Sequence, residues 1–266
     1  MDRARYYRIF YLLKQAASPT AREKFSSDCW SKAGLVHYLL SVYNARADRS
    51  SPRWRKTKKM AKQIEINPVN PQQRLISQAV EVLRKGGVIC YPTDTMYGIG
   101  CDIFNQKAVK RVHEIRQRPK HKPFSFMCAS LADISQYAHV SSPAYRLLKR
   151  HLPGPYTMVL PGSKLVPKIM LTKQKTVGIR LPQSPICLAL IEALGNPVLN
   201  TSALREGYKA PTDSYEVEEL FGSQADLIID GGEVFPEPST VISLVTEQPE
   251  ILREGKGEIA PFLERE

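Results

Sequence analysis

Two hydroxyls, a carboxylate and two glycines stand together in Pro92-Thr93-Asp94-Thr95-Met96-Tyr97-Gly98-Ile99-Gly100, directly after the apolar run Val88-Ile89-Cys90-Tyr91. Such a segment can offer hydrogen-bond donors while its glycines let backbone approach a ligand. A strand-to-helix turn in which Asp94 bonds local backbone would use the same residues. GxxxxGK[ST] and GxGxxG are both absent, so the segment is neither a P-loop nor a dinucleotide fingerprint. A second cluster, Arg116-Gln117-Arg118-Pro119-Lys120-His121-Lys122-Pro123, sets five cationic or potentially cationic side chains in eight residues. Guanidinium forks bind phosphate bidentately and ammonium adds point charge; a solvated helix end would also favour cations. Arg180, Asn200-Thr201-Ser202 and Arg253 stand at predicted strand ends. Arg180 suits a ligand carboxylate or a neighbouring acid, and the hydroxyls suit a ligand or a helix N-cap. Together the set points to an anionic ligand: phosphate, carboxylate or both.

Other chemistries are poorly supported. The cysteines Cys29, Cys90, Cys101, Cys128 and Cys187 are odd in number, widely spaced and without a CxxC, which argues against a disulfide framework or zinc site and for a reducing compartment. Cys90 and Cys128 read as core residues. His113 and His151 fall on helical segments and read as surface residues, and no histidine has a metal-ligand spacing. A GxSxG elbow is missing, so no covalent catalytic residue is expected.

The elements that must position these residues are legible from periodicity. Leu75, Ile76, Ala79, Val80, Val82 and Leu83 mark a helix within 71–85, stopped by Gly86-Gly87. Strands are expected at 88–91, 124–128, 156–160, 177–181, 197–200, 226–229, 240–244 and 250–253, the last two as a hairpin. Helices are expected from Asn105 as cap to about Arg116, from Ser141-Ser142-Pro143, and over 185–194. Strands alternating with helices predict an open α/β sheet covered by helices, with ligands beyond strand C-termini.

The 266 residues carry a net charge of +12, distributed unevenly. Residues 1–60 hold 14 Lys and Arg against 4 Asp and Glu, whereas residues 61–266 hold 24 against 22. The excess belongs to an N-terminal extension, residues 1–59, expected to be poorly ordered. It reads as a transit peptide, a basic RNA-binding arm, or sequence upstream of a true start at Met60. Residues 60–266 then form a single domain. No apolar run approaches the roughly 20 residues of a membrane-spanning helix, so a soluble, cytoplasmic protein without membrane partners is expected.

PTDTMYGIG after a Gly-Gly-strand unit resembles the opening of the YrdC/YciO family. RPKHKP, LPGPYTMVL, VGIRLP, NTSA, DLIIDGG, PSTVISL and ILREG follow in the family's order, and the opening QQRLISQAVEVLRKGGVICYPTD is most similar to the YciO branch. The resemblance implies a YrdC/RibB-like α/β fold, a twisted mixed sheet flanked by helices around a concave basic cleft. It implies threonylcarbamoyl-AMP synthase chemistry: L-threonine, bicarbonate and ATP with Mg2+ give the adenylate and pyrophosphate, feeding tRNA N6-threonylcarbamoyladenosine synthesis. Thr95, Lys122 and Arg180 would bind threonine; Arg116, Arg118, Thr176, Ser202 and Arg253 would hold nucleotide and phosphate. No metal-ligating residue is implied. Two positions depart from the synthase pattern: Lys-x-Arg is Arg116-Gln117-Arg118, and Ser-x-Asn is Ser202-Ala203-Leu204. A paralogue that binds double-stranded RNA, tRNA or nucleotide without synthase activity is the alternative.

Overall fold

The computed structural model describes residues 60–117 and 124–263; the expectations for residues 1–59 and for Arg118 to Pro123 lie outside them. In chain order the elements are β1 (Lys62–Glu65), α1 (Gln73–Arg84), β2 (Ile89–Tyr91), β3 (Gly98–Gly100), α2 (Gln106–Arg116), β4 (Ser125–Met127), α3 (Leu131–Tyr137) and α4 (Ser142–His151). There follow β5 (Tyr156–Pro161), β6 (Thr176–Arg180), α5 (Pro185–Leu194), β7 (Val198–Ser202), α6 (Ser214–Phe221), β8 (Leu227–Asp230), β9 (Thr240–Ser243) and β10 (Glu250–Arg253).

The strands form one mixed sheet in the order β1-β8-β2-β3-β7-β4-β6-β5-β9-β10. The pairs of β1 with β8, β8 with β2, β4 with β6 and β5 with β9 are parallel and the others antiparallel. Helix starts follow local chemistry. Asn105 accepts from Ala108 N, Ser141 from Ala144 N and Ser184 from Cys187 N, each satisfying a donor the helix itself leaves unpaired.

Successive strand residues point to opposite faces. On one face Ile64, Ile89, Tyr91, Met127, Val198, Leu227 and Ile229 pack with α1 (Ile76, Ala79, Val80, Leu83) and α5 (Ile186, Leu190, Ile191, Leu194). On the other, Cys90, Ile99, Phe126, Val177, Ile179, Leu199, Ile228 and Ile242 pack with Val109 and Val112 of α2, Leu148 of α4 and Val217 and Phe221 of α6. Each fully buried aliphatic or aromatic side chain contributes about 1.5–3 kcal/mol. Cys90 and Cys128 are buried as expected.

Three features depart from expectation. Gly98–Gly100 is a strand paired antiparallel to β2, so the segment 92–97 links two strands instead of leading into a helix. Its glycine content hides it, yet a Cβ on Gly100 would lie 2.6 Å from Tyr91 Oη and closer still to the Leu199 carbonyl. Pairing here requires glycine. β7 extends through Ser202, so Asn200-Thr201-Ser202 belongs to the strand and caps no helix. β1, α3 and α6 are further elements that periodicity did not resolve.

Candidate functional site

The same alternation that builds the core opens a cavity. In β6, Val177 and Ile179 enter the core while Thr176, Gly178 and Arg180 face away from it. In β5, Tyr156, Met158 and Leu160 do likewise against Thr157 and Val159. Helices α1 and α5 cover the β1-β8-β2 end of that outward face. Beyond Met127 and Val198 the face carries Ser125, Asn200, Gly178 and Val159, cross-strand neighbours in one row. There the face lines a cavity of about 270 Å³. The site therefore lies on the face of the sheet, not beyond the strand C-termini as expected. Gly178 forms its floor: a Cβ there would sit 3.1 Å from Thr157 Cγ2 and 3.3 Å from Ser125 Cβ.

Seven residues singled out from sequence share this lining: Thr95, Thr176, Arg180, Asn200, Thr201, Ser202 and Arg253. Arg116 stands beside it, its Nε donating to Thr201 Oγ1 at 3.4 Å. Arg118 and Lys122 lie outside the described residues. Leu204 is half-buried and does not line the cavity as the described residues bound it.

At one end, Arg180 and Asp94 form a buried ion pair, Arg180 Nη2 donating to Asp94 Oδ1 at 2.7 Å with side chains 4% and 8% exposed. Asp94 Oδ2 also accepts from Gln183 N at 3.3 Å. The acid expected as one alternative partner of Arg180 is thus Asp94. Arg180 Nη1 donates to Thr95 Oγ1 at 3.0 Å, and Arg180 Nε, also buried, has no hydrogen-bond partner among the described residues. The neighbouring Thr93 hydroxyl accepts from Thr95 N and Met96 N and donates to Met96 O at 2.6 Å. With the Thr93 proton committed to Met96 O, Thr95 Oγ1 is left as the donor of the 3.0 Å contact between the two hydroxyls. Arg180 Nε–H is the donor left for an anionic oxygen group.

At the other end, Arg253 Nη2 donates to Ser239 O at 2.6 Å and to Ser239 Oγ at 3.1 Å. Ser239 Oγ in turn pairs with Thr157 Oγ1 at 2.8 Å. Thr176 Oγ1 pairs with Thr172 Oγ1 at 2.7 Å. Thr157, Thr172, Ser125 and Ser239 also line the cavity and were not singled out from sequence. Thr157 and Ser239 sit inside LPGPYTMVL and PSTVISL, where only strand alternation around the apolar residues marks them.

Among the described residues, two guanidiniums, Arg253 and the Asp94-paired Arg180, and no carboxylate line the cavity, so its field favours anions. No group of three metal-ligating side chains occurs among the described residues. Burial pushes the Cys90 and Cys187 thiols up to about 12 and raises those of Cys101 and Cys128. They stay protonated at neutral pH and are poor nucleophiles. His113 and His151 sit on helices but are half-buried against aromatic rings, 4.2 Å from Phe124 and 4.6 Å from Phe262 between centroids. No helix among the described residues is long and apolar enough to cross a membrane.

The Sua5/YciO/YrdC family model, described as telomere recombination, matches residues 81–255. The uncharacterised protein YciO of Escherichia coli strain K12 is 47% identical over 206 residues, covering 77% of this chain and all of YciO. Its crystal structure superposes with a TM-score of 0.74 at 46% identity, over 76% of this chain and all of that one. The threonylcarbamoyl-AMP synthase of Pyrococcus abyssi is 36% identical over 193 residues, covering 70% of this chain and 57% of the synthase. A crystal structure of P. abyssi Sua5 complexed with L-threonine gives a TM-score of 0.69 at 35% identity, over 73% of this chain and 57% of that one.

Proposed function

This chain belongs to the Sua5/YciO/YrdC family, and from that premise we propose that it binds L-threonine and ATP in the sheet-face cavity and forms threonylcarbamoyl-AMP from them and bicarbonate. The observation that carries the proposal is the buried Arg180, which lines the cavity beside Thr95 and whose Nε–H has no acceptor among the described residues. A buried donor without a partner is costly, about 1–3 kcal/mol, and a ligand carboxylate would satisfy it. The L-threonine named for the Sua5 complex, a relative of this family, supports that assignment.

Thr95, Arg180 and Lys122 hold the amino acid. Arg116, Arg118, Thr176, Ser202 and Arg253 hold the nucleotide and its phosphates. The threonine amine condenses with bicarbonate to a carbamate with loss of water, and a carbamate oxygen then attacks the α-phosphorus as its bond to the pyrophosphate oxygen breaks and pyrophosphate leaves. This chain's contribution is alignment of the reactants and cationic stabilisation of the departing phosphates. Mg2+ enters with ATP as part of the substrate, since the cavity offers it no carboxylate. The adenylate would serve tRNA N6-threonylcarbamoyladenosine synthesis in the cytoplasm.

Full-length protein incubated with labelled threonine, bicarbonate, ATP and Mg2+ should yield labelled adenylate and an equal amount of pyrophosphate. Absence of product at high enzyme concentration, for wild type and for Leu204→Asn alike, rules the synthase out. Leu204 itself favours a second reading, a paralogue that binds nucleotide or double-stranded RNA without making the adenylate, because an apolar side chain replaces the amide of Ser-x-Asn. On that reading, neutralising Arg116, Arg118 and Lys122 together weakens RNA binding and flattens its salt dependence. An unchanged slope excludes it.

A further inference from the structure

A break in sheet register sets two neighbouring side chains of one strand, one apolar and one cationic, into the cavity. β10 pairs Ile251 with Ile242 but Arg253 with Val241, so two residues of β10 are spent against one of β9. This is bulge geometry, which re-aims side chains and recurs beside functional sites. Ile251 turns to the core. The next two residues, Leu252 and Arg253, both line the cavity, although neighbours on a regular strand would face opposite ways. Leu252 is 50% exposed there, with Val241 in the same lining. An exposed leucine beside a guanidinium gains nothing for folding; it offers an apolar surface next to an anion site.

The position of this surface limits what can occupy it. Arg180 is on β6, and β5 and β9 lie between it and β10. At about 4.8 Å per strand the separation is roughly 14 Å. An amino acid seated at Thr95 and Arg180 is too short to span that distance. The β10 end takes the larger reactant, one that carries both an anionic chain and a flat apolar group.

We propose that Leu252, which strand alternation turns into the cavity and beside which the β10 bulge sets Arg253, seats the adenine ring of the nucleotide while Arg253 takes its phosphates. Leu252 is thereby a specificity residue that separates nucleotides from bare polyphosphate. This rests on the nucleotide-binding part of the proposed function and adds to it the residue that recognises the base.

The test is calorimetric titration of the full-length chain with Mg-ATP and, separately, with inorganic tripolyphosphate. Wild type should bind ATP more tightly than tripolyphosphate. Leu252→Ala should weaken ATP about tenfold, leave tripolyphosphate unchanged and leave the melting temperature unchanged, and Leu252→Met should restore ATP affinity. Equal losses for both ligands, or no loss for ATP, overturn the role of Leu252 while the nucleotide reading stands. A wild-type chain that binds tripolyphosphate no more weakly than ATP overturns base recognition. One that binds neither overturns the nucleotide reading as well.

Discussion

The two ends of the cavity are built in different ways. At the Thr95–Arg180 end, every group except one donor is buried and fixed. Asp94 holds one Nη, Thr95 takes the other, and Thr93 ties its loop back on itself. At the Arg253 end the guanidinium donates to the carbonyl and hydroxyl of Ser239, and its neighbour Leu252 is half exposed. The first end is preorganised, so it can discriminate a small ligand at little ordering cost. The second is open and can accommodate a larger, more variable partner. On the proposed function, threonine recognition would then be the more constrained task and nucleotide handling the more adjustable one.

Removing Asp94 should break the contrast most severely. Asp94→Ala leaves Arg180 charged, buried and uncompensated, which costs about 3–5 kcal/mol. A lower urea midpoint at unchanged slope is the expected reading; a midpoint equal to wild type would mean the pair is not the anchor described. Leu204→Asn should sharpen the contrast from the other side. Restoring an amide next to Ser202 is expected to improve adenylate formation by about 1–3 kcal/mol in kcat/KM for ATP, with KM for threonine unchanged. A change in the threonine term instead would place Leu204 at the wrong end.

Ser239→Ala should have a smaller effect. It removes the hydroxyl shared by Arg253 and Thr157 but keeps the carbonyl contact, so a loss of about 1 kcal/mol is expected, confined to nucleotide binding.

The smallest effect is a control outside both ends. His151 is held below its ordinary value, chiefly by burial and secondarily by Arg150, and its ring packs on Tyr156 and Phe262. A depressed imidazole adds stability that is complete above the unfolded value of 6.5 and falls as pH drops from there through its folded value. Thermal melts should show a modest decline below pH 6.5 that disappears in His151→Phe, with threonine and ATP binding unaffected in that variant.

Much of the fold is legible locally. The caps Asn105, Ser141 and Ser184 and the apolar periods of α1 and α5 are short-range signals, and the structure places those helices within a few residues of expectation. The strand 98–100 is not, because two glycines in three residues carry no β signal; the pairing is imposed by Tyr91 and Leu199 from neighbouring strands. The same holds for the site. Thr95, Thr176, Arg180, Ser202 and Arg253 are recognisable as polar residues beside apolar strands, whereas Thr157 and Ser239 look like ordinary strand residues until β5 and β9 pair.

Residue order by itself determined the α/β class, the family resemblance, the confinement of excess charge to the first sixty residues, and the cationic and hydroxyl residues that point to an anionic ligand. These depend on periodicity, composition and motif, which are properties of neighbouring residues. Only tertiary structure decided that the cavity lies on the sheet face, that Asp94 pairs with Arg180 while accepting from Gln183 N, and that a bulge brings Arg253 to the cavity face beside Leu252. Strand order and register join residues more than a hundred positions apart, and no local pattern encodes which outward face the helices leave open.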